Sequence, residues 1–152
     1  FRRVLFRSDR DYRYLEVNQF LRRLHPEIVS QAERMIANLG GQVNRDSATD
    51  LLTVNAEFSV SLVLSRCQVL DSQRRRWKVR FDTSLAPDIT VAVRLDESNQ
   101  VPLDYYLLPR LDFGQARIHL AEHNGIEFES YRFDSLDYLH GMAERTRVRR
   151  AA

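Results

Sequence analysis

The pattern of apolar and polar positions changes period along the chain, from helical spacing to strict alternation. Tyr14, Val17, Phe20, Leu21 and Leu24 recur at helical spacing, and the stripe breaks at His25-Pro26. Pro26 suits the first turn of a second helix, where its missing N–H leaves no bond unmade. Ile28, Ala32, Met35, Ile36 and Leu39 then form one apolar stripe, and Gly40-Gly41 supplies a stop. Both stripes are expected to face a core.

From Leu51 onward the period falls to two. Gln42–Arg45 and Leu51–Val54 read as short strands around a turn at Asp46–Asp50. Phe58, Val60, Leu62 and Leu64 alternate with Ser59, Ser61, Val63 and Ser65, in a strand expected to run from Phe58 to Gln68. Trp77, Val79 and Phe81 alternate with Arg76, Lys78 and Arg80, so this strand has an apolar face and a cationic one. Ile89, Val91, Val93 and Leu95 repeat the alternation against Thr90, Ala92 and Arg94, and Leu103–Leu108 adds a compact apolar run. The short connections predict an antiparallel meander of these three long strands.

Beyond Pro109, Ile118 and Leu120 fit a strand or a short helix, and Asn124-Gly125 is a turn dipeptide. Asp134 reads as the cap of a last helix carrying Leu136, Leu139 and Met142 or Ala143. The expected architecture is one α+β domain over residues 9–152. Its central, mainly antiparallel sheet has four or more strands and is flanked by helices. Val60, Leu62, Leu64, Trp77, Val79, Phe81, Ile89, Val91 and Val93 should supply the buried face, covered by the helices at 28–39 and 136–143.

A length of 152 residues suits one domain with a real core. Hydrophobic content of 43% and charged content of 29% exclude wholesale disorder. No apolar run approaches the ~20 residues of a membrane-spanning helix. The single cysteine, Cys67, cannot form an internal disulfide, which fits a reducing cytoplasm. Phe1–Ser8 (FRRVLFRS) resembles translated sequencing-adapter read-through, so it is expected to be an artefact or an incomplete N-terminus, with an upstream domain missing.

Charge changes the picture further. Of 23 basic residues only Lys78 is a lysine, and the rest are arginines. Arginine's planar fork suits phosphate and base edges, although a GC-rich coding sequence gives the same bias without any selection for binding. The tail Arg145–Arg150 is basic too, as frayed termini often are.

Catalytic motifs are scarce. There is no glycine-rich phosphate loop and no CxxC pair. His119 and His123 have the i,i+4 spacing of two zinc ligands on a helix but lack a third. Ser59, Ser61 and Ser65 have no adjacent base and read as strand-surface hydroxyls.

The helix before Gly40-Gly41, the Asp50-Leu51-Leu52-Thr53-Val54 strand, the Phe58–Gln68 strand and Asp104–Pro109 together resemble the restriction-endonuclease-like PD-(D/E)xK fold. Asp50 matches that family's first acid. Ser61 and Val63 stand where the resemblance implies an acid or glutamine and a lysine. Two-metal cleavage needs convergent carboxylates and a positive group near the attacking water, which serine and valine do not supply. The resemblance therefore implies a degenerate nuclease centre. Residues Arg66–Leu139 also resemble part of uncharacterised proteobacterial proteins associated with site-specific recombinases.

The leading expectation is a noncatalytic DNA-associated module of a recombination or DNA-processing system, without a cofactor. Arg66, Arg74, Arg75, Arg76, Lys78, Arg80 and Arg94 would contact phosphates. One alternative is a nuclease dependent on Mg or Mn, with Asp50, Glu57 and Asp88 as acids and Asp82 in reserve. Another is a protein-interaction or oligomerisation domain, whose mark would be an uncovered apolar patch.

Overall fold

The computed structural model of the chain describes residues 14–38 and 41–133. The leader at 1–8, the final helix expected at 136–143 and the basic tail lie outside the described residues. Helix α1 covers residues 14–24, and α2 (Pro26–Asn38) follows after a single residue. The His25 carbonyl accepts from Val29 N at 3.2 Å, which places Pro26 in the first helical turn.

Nine strands follow: β1 (Val43–Arg45), β2 (Leu52–Val54), β3 (Phe58–Ser65), β4 (Cys67–Val69), β5 (Arg75–Arg80), β6 (Ile89–Leu95), β7 (Pro102–Pro109), β8 (Arg117–Ala121) and β9 (Arg132–Phe133). A short helix, α3 (Ile126–Glu129), precedes β9. Six strands form one mixed sheet in the order β1-β2-β3-β6-β7-β9, and the other three form a second sheet, β4-β5-β8. The α+β class and a large central sheet are thus present, and all of the expected core residues from Val60 to Val93 are buried.

The meander is not. β3 pairs in parallel with β6, Val60 opposite Ile89 and Leu64 opposite Val93, while β5 lies in the other sheet. The expected strand from Phe58 to Gln68 divides at Arg66, its second part pairing with β5 as Cys67↔Trp77. The physical reason is burial. β3 and β6 are apolar enough to be covered on both faces, whereas β5 has one face of cations that only an outer layer tolerates.

Each face of the six-stranded sheet has its own core. Val60, Leu62, Leu64, Ile89, Val91, Val93 and Leu107 meet Ile28, Val29, Ala32 and Ile36 of α2. On the opposite face Val63, Ala92, Tyr106 and Leu108 meet Trp77, Val79, Ile118 and Leu120 of the second sheet. Phe113 closes the end of this second core, stacked on Phe81 at 5.9 Å and edge-on to Tyr131 at 5.1 Å.

A buried ion pair joins the two sheets. Arg94 on β6 donates from Nε and Nη2 to the Asp104 carboxylate at 2.8 and 2.6 Å, and from Nη1 to the Ala121 carbonyl at 2.7 Å. Its guanidinium lies 4.4 Å from the Trp77 ring centroid and 5.2 Å from that of Tyr106. Trp77 in turn donates its indole N–H to the Leu95 carbonyl at 2.7 Å. Burial opposes the charge on Arg94, but hydrogen bonds and attraction from Asp104 outweigh it and raise the guanidinium pKa above its ordinary value.

Removing one partner of such a pair strands the other in the core. Asp104→Ala should cost about 3–5 kcal/mol in urea unfolding, whereas Arg94→Met with Asp104→Leu should lose far less. Equal losses in the single and double variants would show that packing, not the stranded charge, dominates.

Candidate nucleic-acid interface

Alternation on β5 decides which arginines reach solvent. Trp77 and Val79 point into the core, so Arg76, Lys78 and Arg80 line the outer face of the second sheet. The β5–β8 register sets Lys78 opposite His119 and Arg80 opposite Arg117. On the other side Gln68 of β4 is opposite Arg76 and accepts from its Nη2 at 2.9 Å. Arg66 projects from the break between β3 and β4 and is exposed. Five guanidinium or ammonium groups and one imidazole therefore share one surface.

These charges repel one another. Partial burial lowers the Lys78 pKa first, and Arg80, Arg117 and Arg76 lower it further. The Arg80 pKa is lowered by burial, with Arg117 and Arg66 adding repulsion against the opposing influence of Tyr14. His119 is held below the ordinary 6.5 by desolvation and then by Arg76, Lys78, Arg117 and Arg80. Among the described residues no acid forms an ion pair with Arg66, Arg76, Lys78, Arg80 or Arg117. The Nε of Arg76 is buried without a hydrogen-bond partner.

Helix α1 forms a wall beside this surface, and it is turned differently from the expected apolar stripe. Its buried side is Leu15, Asn18, Leu21 and Arg22, whereas Phe20 is 55% and Leu24 47% exposed. The reason is unmet backbone polarity. β2 pairs with β3 only as far as Val60, and β4 pairs with β5 only as far as Trp77, so carbonyls beyond those points need other donors. Arg22 donates to the Leu62 carbonyl at 2.6 Å, Asn18 to the Arg80 carbonyl at 3.0 Å, and Ser65 to the Lys78 carbonyl at 3.0 Å. Asp82, 1% exposed, accepts from Asn18 Nδ2 at 2.7 Å and Ser61 Oγ at 2.6 Å. Turning Asn18 and Arg22 inward rotates Phe20 outward, where it helps line a groove of about 440 Å³ with Val17, Arg66, Gln68, Lys78 and Arg80.

Three of the expected phosphate contacts lie elsewhere. Arg94 is 4% exposed and committed to Asp104, so it is a structural post rather than a surface group. Arg75 shares the inner parity of Trp77 and is bound to Glu122 at 2.5 Å, with Glu97 at 3.8 Å. Arg74 is exposed in the turn before β5. Arg117 and His119 complete the surface and were not among the expected contacts, because their place beside β5 becomes legible only once the β5–β8 register is known.

The candidate nuclease acids do not assemble. Asp50, at φ 59°, precedes β2 and lies 3.8 Å from the buried guanidinium of Arg22. Glu57 sits at the other end of that hairpin, in the turn between β2 and β3. Asp88 is buried and accepts from Ser59 N at 2.9 Å and Ser59 Oγ at 3.3 Å, tying the start of β6 to β3. Ser61 is engaged by Asp82 and Val63 lies in the second core. His119 is on a strand and His123 in the following turn, so their helical spacing has no helix. Among the described residues no three His, Cys, Asp or Glu side chains are placed to share a metal ion. Cys67, half-buried, has its thiol pKa raised chiefly by desolvation.

No known family model, curated protein or solved structure matches the chain. No helix among the described residues is long and apolar enough to cross a membrane.

The sign of the His119 shift gives a pH prediction. Its folded pKa is depressed, so between that value and 6.5 the folded state binds fewer protons than the unfolded one. Its protonation therefore opposes folding as pH falls through 6.5, and His119→Gln should remove that component. A polyanion on the same face should raise the pKa, take up a proton and bind more tightly at lower pH. Imidazole NMR titration with and without inorganic polyphosphate measures both effects.

Proposed function

We propose that this domain is a noncatalytic nucleic-acid-binding module, working on DNA within a recombination or DNA-processing assembly. The observation that carries this reading is the outer face of β4-β5-β8. Arg66, Arg76, Lys78, Arg80 and Arg117 gather there without an acidic ion-pair partner among the described residues.

Mutual repulsion makes such a surface costly for a protein to keep, and a polyanion relieves it. Phosphates would replace the missing acids, and release of their counterions would drive association. Strand geometry suits backbone tracking, because outward residues repeat at roughly 6.6–6.8 Å along a strand and so present a regular row of charges. Contacts of this kind position the chain without specifying sequence.

The order of elements that resembles the PD-(D/E)xK fold adds to the DNA reading while pointing away from cleavage. Metal-dependent hydrolysis needs carboxylates converging on a cation. Asp50 faces a guanidinium, Asp88 is committed to β3, and Ser61 is engaged by Asp82. What supports a binding role is that among the described residues none of these acids is ion-paired with the cationic face.

The full chain should bind DNA with an affinity that falls steeply with salt. Arg76→Ala/Lys78→Ala/Arg80→Ala should weaken binding and flatten the log–log salt slope by about 2–3. Circular dichroism would confirm that the variant still folds. Incubation with Mg or Mn should leave the DNA intact; cleavage abolished by Asp50→Ala would establish the nuclease alternative instead. Failure to bind DNA at low salt would overturn the proposal and favour a protein-interaction role.

A further inference from the structure

We infer that the groove between α1 and the second sheet takes a single-stranded polynucleotide, with one base stacked on Phe20. This deepens the nucleic-acid reading and rests on it. The groove has two chemically different walls. One carries the cations Arg66, Lys78 and Arg80 together with Gln68, and the other carries Phe20 on α1.

Turning Asn18 and Arg22 inward leaves Phe20 outside the core, where its ring is open to a ligand. It is 55% exposed on a helix whose inward side is occupied by Leu15, Asn18, Leu21 and Arg22. An aromatic ring there loses the burial that normally recompenses its exposure to water. The exposed ring lines the same groove as Arg66, Lys78 and Arg80. That pairing of a basic track with an accessible ring is what sequence-tolerant single-strand binders require, since every base has a face to stack.

The same pairing discriminates against a duplex. Phosphates of a duplex can meet Lys78 and Arg80, but its bases are stacked on one another and reach Phe20 only by unpairing. Gln68 adds neutral donors and acceptors to the groove, suited to an exposed base edge or sugar. Arg76 donates from its Nη2 to Gln68 and holds that side chain at the groove. Charge complementarity selects a polyanion, and the ring selects one with unpaired bases.

The test compares fluorescence anisotropy of the full chain with an oligothymidine of about 12 nucleotides and a blunt duplex of equal length. Single strand should bind more tightly, and Phe20→Ala should weaken that binding by about tenfold while changing duplex binding less than about twofold. Phe20→Trp should restore single-strand affinity, and its exposed indole should be quenched by oligothymidine above the background of buried Trp77. Equal affinity for both probes, unaffected by Phe20→Ala, would overturn this inference and leave the cationic-face reading standing. Binding to neither probe would overturn both. Single-strand preference that survives Phe20→Ala, with no quenching in Phe20→Trp, would also overturn the assignment to Phe20.

Discussion

Everything outward-facing in this domain depends on how Arg94 is held inside it. Its guanidinium touches both sheets, through hydrogen bonds and ring faces together. It is bound by Asp104 within the large sheet, by the Ala121 carbonyl of β8, and by the face of Trp77 on β5. A charge this buried is stable only when almost every donor has a partner, so the position of β5 over β6 is narrowly determined. Once Trp77 is fixed over Arg94, strand alternation leaves no choice about Arg76, Lys78 and Arg80. They must point to the far side of the second sheet. One arginine is spent inside so that others are presented outside.

A second polar device serves the same end at the flank. Two sheets that separate after Ser65 leave carbonyls of β3 and β5 without strand partners. Asn18, Arg22 and Ser65 satisfy them, with Asp82 accepting from Asn18 and Ser61. A helix with an apolar inner face would bury more hydrocarbon but strand those acceptors, each a loss of roughly 1–3 kcal/mol. The helix is therefore rotated toward its polar residues, and the aromatic ring that would have been core becomes surface. The exposure of Phe20 is a consequence of backbone accounting, and the groove beside it follows.

These two devices also explain which parts of the molecule were legible in the sequence. Strand periods were plain: β5 and β6 lie at the alternating runs, as does β3 up to Ser65, and β2 and β7 lie at the short apolar runs, because these patterns are local properties. Pairing partners were not local. The parallel β3–β6 contact and the division at Arg66 depend on which strands can be buried on both faces, a comparison between strands rather than a pattern within one. The same limit governs the surface. Arg76, Lys78 and Arg80 were visible as one face of β5, but nothing near Arg94 in sequence distinguishes it from them. Its fate is decided by Asp104, ten residues on, and by Trp77, seventeen residues before it. Arg117 and His119 joined the surface through a register that spans some forty residues.

Arginine abundance by itself therefore carries little functional information in this chain, and its distribution carries much more. Arg22 and Arg94 are interior donors, Arg45, Arg75 and Arg132 are paired with glutamates, and a separate set lies together without acids among the described residues. A coding bias would scatter arginines without regard to partners. Burial first, and mutual repulsion after it, depress the pKa values of Lys78, Arg80 and His119, and a single nearby carboxylate would ordinarily relieve the repulsion. Acids are not in short supply, since the chain holds 21 of them. Glu97 and Glu122 lie at Arg75, on the side of β5 where the cation supports the fold, and among the described residues none pairs with the row that faces outward. Carboxylates meet Arg75 and Arg94 on the inner side, and among the described residues none meets the outward row, and it is on this asymmetry that the proposed reading of the outer sheet rests.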